Sequence, residues 1–180
     1  MAFRTVETCF SELRGEAART RADQLLSAEL VEAFRYKTIM AAGWYPIGEY
    51  KALFRAFLGA TGEGPELARE IGRLAARHDM AGVHKQIVAR VVSPQMLFGM
   101  SQRVFSTYYD TGTFTMLESR RGFAHARAAG CLGWDACLWQ EIIGSSESLL
   151  EIAGAKHVRM RVLGGGKDED DFLELEARWA

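Results

Sequence analysis

The residues of this chain that could do chemistry form a few small sets. Gly164-Gly165-Gly166-Lys167 invites a phosphate. A phosphate-cradling loop needs GxxxxGK followed by Ser or Thr, set between a strand and a helix. Here Asp168 follows the lysine, and the loop joins two alternating runs. Gly144-Ser145-Ser146 is not the GxSxG of a nucleophile elbow, and it lies in a helical segment. Cys131 and Cys137 are six apart, which is not a zinc-knuckle spacing. Asp168-Glu169-Asp170-Asp171 lacks the alternating ligands and the distal Glu of a calcium loop, so it reads as a solvated hairpin tip. His78 and His84 fall on or beside apolar helix stripes and read as partly buried imidazoles with hydrogen-bond partners. No Ser, Cys, His and Asp set carries a local signature of nucleophilic catalysis. The expectation is a protein that is not an enzyme, with no catalytic residue, no metal site and no cofactor.

An excess of large apolar side chains remains. Phe54, Phe57, Met96, Leu97, Met100, Phe105, Tyr108, Tyr109, Trp134 and Trp139 are many for a chain of 180 residues. Met and aromatic side chains adapt to irregular partners. They fit an ordinary core, a cavity for a lipid-like ligand, or a protein interface. A segment from Arg121 to Ala128 sharpens the question. It alternates Arg121, Phe123, His125 and Arg127 with Gly122, Ala124, Ala126 and Ala128. A strand face made only of Gly and Ala leaves volume that neighbours must fill or a ligand must occupy, because interiors pack to crystal density. The predicted pocket is therefore lined by Leu97, Met100 and Val104, by Trp134 and Leu138, and by Ala124 and Ala126.

Helices must position most of these residues. Val6, Phe10 and Leu13 mark one helix face, continuing towards Ala17. Ser27 reads as an N-cap with Glu29 and Glu32 behind it, in a helix that should stop near Gly43. Ile47, Tyr50, Phe54, Phe57 and Leu58 form the next helix, ending by Gly62. Pro65 suits the first position of a fourth, with Leu67, Ile71 and Leu74 inward. Asp79 reads as the cap of a fifth, carrying Val83, Ile87 and Val91. Ser93-Pro94 is the clearest helix start, opening a helix lined by Leu97, Met100, Val104 and Tyr108 and ended by Gly112.

The period then changes. Thr113 to Glu118 and Arg121 to Ala128 read as strands. Gly133 to Ala153 is a long helix with a kink or break expected at Gly144-Ser145-Ser146. Val158, Met160 and Val162 alternate with His157, Arg159 and Arg161, and Leu173, Leu175, Ala177 and Trp179 alternate with Glu174, Glu176 and Arg178. Such runs joined by a Gly-rich loop read as an antiparallel hairpin over 157–163 and 172–179, apolar on one face and charged on the other. The whole is α+β: an N-terminal helical bundle packed on a small antiparallel sheet, in the order helices-β-β-α-β-β, within a single domain spanning 1–180.

The net charge of −1, with 48% hydrophobic and 25% charged residues, is that of an ordinary globular protein. No basic stripe points to nucleic acid, and no run is long enough to span a membrane. Cys9, Cys131 and Cys137 are odd in number, and Glu7 interrupts any leader-like core, so a reducing cytoplasm is expected.

Several words along the chain resemble a family of uncharacterised proteins abundant in myxobacteria. They are Trp44-Tyr45-Pro46-Ile47, Glu70-Ile71-Gly72-Arg73, the stretch from Phe105 to Gly112, Leu150-Glu151-Ile152-Ala153-Gly154-Ala155, and Ala177-Arg178-Trp179. That family is similar in fold to haem NO-binding domains, 4-vinyl reductase domains and the TRAPP vesicle-transport subunits. The resemblance implies a ligand-binding or signalling module, with a scaffold or assembly subunit as the alternative. The partners expected are an apolar small molecule, and a protein or a second copy in a dimer. It assigns no catalytic residue here. Haem itself is not expected: the helix from Pro94 to Tyr109 carries no His for an axial ligand, and the tyrosine–serine–arginine signature for haem propionates is absent.

Overall fold

Two serines start helices by the same local bond. Ser27 accepts from the Leu30 N–H, and Ser93 accepts from the Met96 N–H with Pro94 in the first turn. In the computed structural model, which describes residues 2–36, 39, 43–80 and 93–180, the described helices are α1 (Ala2–Arg14), α2 (Glu16–Asp23), α3 (Ala28–Arg35), α4 (Ile47–Thr61), α5 (Glu66–Asp79), α6 (Pro94–Gly99), α7 (Ser101–Tyr108) and α8 (Ala136–Ile152). The strands are β1 (Thr113–Arg120), β2 (Phe123–Ala129), β3 (Arg159–Gly165) and β4 (Leu173–Arg178). This is the expected α+β order of helices, β-β, α, β-β.

Several helix ends differ from the sequence reading. The first helix divides at Gly15, whose φ of 81° only glycine adopts readily. The helix begun by Ser27 ends at Arg35, ahead of Gly43. Pro65 sits at the N-cap of α5 rather than inside it, a one-residue difference at a helix end. Asp79 ends α5, and the helix expected over Val83, Ile87 and Val91 lies outside the described residues. The helix begun by Ser93 is broken at Met100 into α6 and α7. By contrast α8 runs without interruption through Gly144-Ser145-Ser146, where a kink was expected.

The sheet is four-stranded and antiparallel, in the order β1-β2-β4-β3. In the β3–β4 hairpin Leu173 and Leu175 are buried and Met160 is half-buried. Arg161 is exposed opposite Glu176, as the alternation predicts. Glu174 turns to the other neighbour: its carboxylate meets His125 Nε2 at 2.8 Å and Arg127 Nη1 at 3.5 Å on β2.

Helices α5 and α8 cross with their backbones nearly touching. A Cβ on Gly72 would collide with the Glu141 carbonyl, and one on Gly144 with the Arg69 carbonyl. Charge rows flank the crossing. Glu147, buried, takes Arg69 and Arg73, the latter at 2.8 Å. Glu151 takes Arg73 at 2.7 Å and Arg77 at 3.2 Å. The Ser148 hydroxyl donates to the Arg73 carbonyl at 2.8 Å.

Candidate functional site

The Gly72–Gly144 crossing leaves a wedge of space beside it. A cavity of about 300 Å³ lies there, bounded by α5, α6, α7 and α8, with Tyr50 of α4, Phe114 of β1 and the Thr5-Val6 turn of α1 contributing to its wall. Its lining is mainly apolar: Leu97, Phe98, Val104, Phe105, Ile142 and Leu149 supply much of it.

One end is polar. Glu141, only 7% exposed, accepts from the Tyr109 hydroxyl at 3.1 Å. Ser145 Oγ stands 3.0 Å from Glu141 Oε1 and 3.1 Å from the Gly72 carbonyl. The hydroxyl has one proton and can donate to only one of them. If Glu141 is protonated, it donates to Ser145, and Ser145 donates to Gly72. Burial pushes the Glu141 carboxyl up to about 7. The bonds from Ser145 and Tyr109 oppose that rise, and the Asp79 charge adds to it.

Asp79 takes the Tyr108 hydroxyl at 3.1 Å and the Thr5 hydroxyl at 3.4 Å. Tyr50 is 4% exposed, and its hydroxyl has no hydrogen-bond partner among the described residues. Burial, with Glu141 nearby, holds the Tyr50 phenol well above its ordinary value, so it stays neutral.

The predicted pocket residues divide. Leu97, Met100 and Val104 line this cavity; Trp134, Leu138, Ala124 and Ala126 do not. Ala124 packs in a separate apolar cluster with Phe98, Leu150, Ala155 and Ala177, and Phe98 in turn stacks on Trp179 at 5.6 Å. Ala126 is closed into the main core. The volume left by the small face of β2 is thus filled by neighbours. Trp134 stands behind the wall, stacked on Phe105 at 6.0 Å and 4.5 Å from Trp139. Leu138 lies one helical turn before Ile142, and α8 meets the cavity only from Glu141 onward. The sequence reading missed Glu141, Asp79 and Tyr50. Its available signal was an acid at 141 inside the stripe of Leu138 and Ile142.

Among the described residues, no group of three His, Cys, Asp or Glu could hold a metal ion. The described part of the lining does not suit haem either: it includes no His, Cys, Arg or Lys, so among the described residues propionates would meet two carboxyls and no cation. His78 points elsewhere, 3.0 Å from Glu12. His84 lies outside the described residues. Cys9, Cys131 and Cys137 are free and buried, their thiols pushed up by burial to about 12, 11 and 12. No described helix is long and apolar enough to cross a membrane.

No family model matches the chain, and no curated protein matches it. Solved structures do. A mutant of the Fe(II) unliganded H-NOX protein from K. algicida superposes with a TM-score of 0.75 at 12% identity, covering 99% of this chain and 94% of that one. The unmutated K. algicida protein gives 0.72 at 11% identity, covering 97% and 95%. An oxygen-binding H-NOX domain related to soluble guanylate cyclases gives 0.68 at 13% identity, covering 98% and 92%. The chain therefore has the H-NOX fold.

Proposed function

We propose that this chain is a non-catalytic binding or signalling module that holds an apolar small molecule in the cavity between α5, α6, α7 and α8. The cavity of about 300 Å³ carries this reading. It is about twice the ~150 Å³ apolar cavity that accepts benzene. Its apolar walls would otherwise face water, and an apolar molecule that covers them gains by their burial. The fold supports the reading, since the H-NOX structures it matches include an oxygen complex. Non-catalytic action is supported by His78 and His125, each engaged with a carboxylate outside the cavity. The thiols, raised by burial, suit an inert role in a reducing cytoplasm. Kinship with the myxobacterial family belongs to the same reading, carried by words such as Trp44-Tyr45-Pro46-Ile47.

A second reading, a scaffold subunit or homodimer, draws on β3. It is an outer strand of the sheet, and Val162 and Leu163 are exposed on it.

Native mass spectrometry of protein purified without added ligand tests the first reading. A bound mass is expected, and Val104→Trp should remove it while leaving the helical circular dichroism intact. Unliganded protein that also takes up no apolar probe would leave the scaffold reading in first place.

A further inference from the structure

The polar end of the cavity has an unbalanced set of hydrogen-bonding groups. Among the described residues its charged groups are all of one sign: Glu141 on α8 and Asp79 at the end of α5, whose charge is felt at Glu141. The other titratable groups of the described lining are phenols: Tyr50 on α4, Tyr108 on α7 and Tyr109 just after it. The cations of α5 are committed elsewhere, Arg69, Arg73 and Arg77 to Glu147 and Glu151. Tyr108 and Tyr109 donate their hydroxyl hydrogen bonds to Asp79 and Glu141. Tyr50 has no partner among the described residues, although it is buried. A buried polar group without a partner bears the full penalty of leaving water, and Tyr50 belongs to the cavity lining.

Resting on the pocket reading above, we propose that the cavity selects an apolar molecule carrying one protonated amine, with its ammonium seated among Glu141, Asp79 and the Tyr50 oxygen. An ammonium has three donors and no acceptor, which matches two carboxyls and a phenol oxygen. It supplies the positive charge that the described lining lacks, and aromatic faces such as Phe105 and Tyr109 favour a cation beside them. An alcohol offers one donor and no charge. A carboxylate offers neither and is repelled. The apolar body lies along Leu97, Val104 and Ile142. Seating the cation ionises Glu141, so binding should release a proton below neutral pH.

Calorimetric titration with three probes of one shape tests this: 1-naphthylmethylamine, 1-naphthylmethanol and 1-naphthoate. The amine should bind about 10- to 100-fold tighter than the alcohol, the range for a charge-assisted bond, and the carboxylate should not bind. Glu141→Gln should bring the amine down to the alcohol's affinity. Equal or tighter binding of the alcohol or carboxylate by the unaltered protein would overturn the selectivity and leave the pocket standing. Binding of none of the three removes both. The three-probe comparison needs no variant, so it decides the matter even if Glu141→Gln fails to fold.

Discussion

Gly72 and Gly144 are reciprocal contacts: each lies where the other's helix presents a backbone carbonyl, Glu141 to the first and Arg69 to the second. Neither position has room for a methyl group. This crossing sets where Glu141 points, because the carbonyl that meets Gly72 belongs to the residue whose carboxyl reaches the cavity.

Gly144→Ala is therefore expected to destabilise the protein by about 1–3 kcal/mol, the usual cost of overpacking. On an open helix the same change would stabilise by about 1 kcal/mol. Urea unfolding decides the sign, and a stabilised variant would mean that the helices do not meet here.

Glu147→Gln should cost about 1–3 kcal/mol, since a buried carboxylate shared by Arg69 and Arg73 is lost while both guanidinium groups keep partial contact with water. Glu63→Gln, in the exposed pair with Arg14, should change stability by less than about 0.5 kcal/mol. Equal effects in parallel denaturation curves would contradict the burial difference.

Stability should also carry the signature of Glu141. Its carboxyl rises from 4.5 unfolded to about 7 folded. Between those values the folded state holds a proton that the unfolded state has lost. This contribution is therefore present at low pH, declines as pH rises through the interval, and is gone above about 7. Removing the titration by Glu141→Gln should make the variant gain on the parent by up to about 3 kcal/mol between about pH 4.5 and 7.5. A flat difference across that range would show that Glu141 titrates normally.

Haemin mixed with the purified protein should give a broad, non-stoichiometric spectrum, because the described lining offers carboxyls where propionates need cations. A sharp Soret band at one equivalent, lost in His78→Ala or His84→Ala, would reverse that expectation.

What the sequence makes legible here is what short-range rules decide. Ser27, Ser93 and Gly62 mark helix ends because capping involves only nearby residues. The register of Leu173 and Leu175 follows from alternation alone. Gly144 misleads, because helix propensity sees a weak residue while the actual constraint is the Arg69 carbonyl on another helix. The cavity was half legible for a similar reason. Leu97, Met100 and Val104 share a helical face that periodicity exposes. Glu141, Asp79 and Tyr50 come from three distant segments, and only the packed fold brings them to one space.

Met100 divides what could have been one long helix into pieces of six and eight residues, and it lies in the cavity wall. Helices that short hold together only through their packing. The opposite wall is α5 against the seventeen-residue α8, locked by bare backbone and arginine pairs. The chamber thus has one stiff side and one yielding side. Amide protons of residues 94–108 should exchange well before those of 66–79 and 136–152, and a molecule entering or leaving would meet its lowest resistance where the helix is interrupted at Met100.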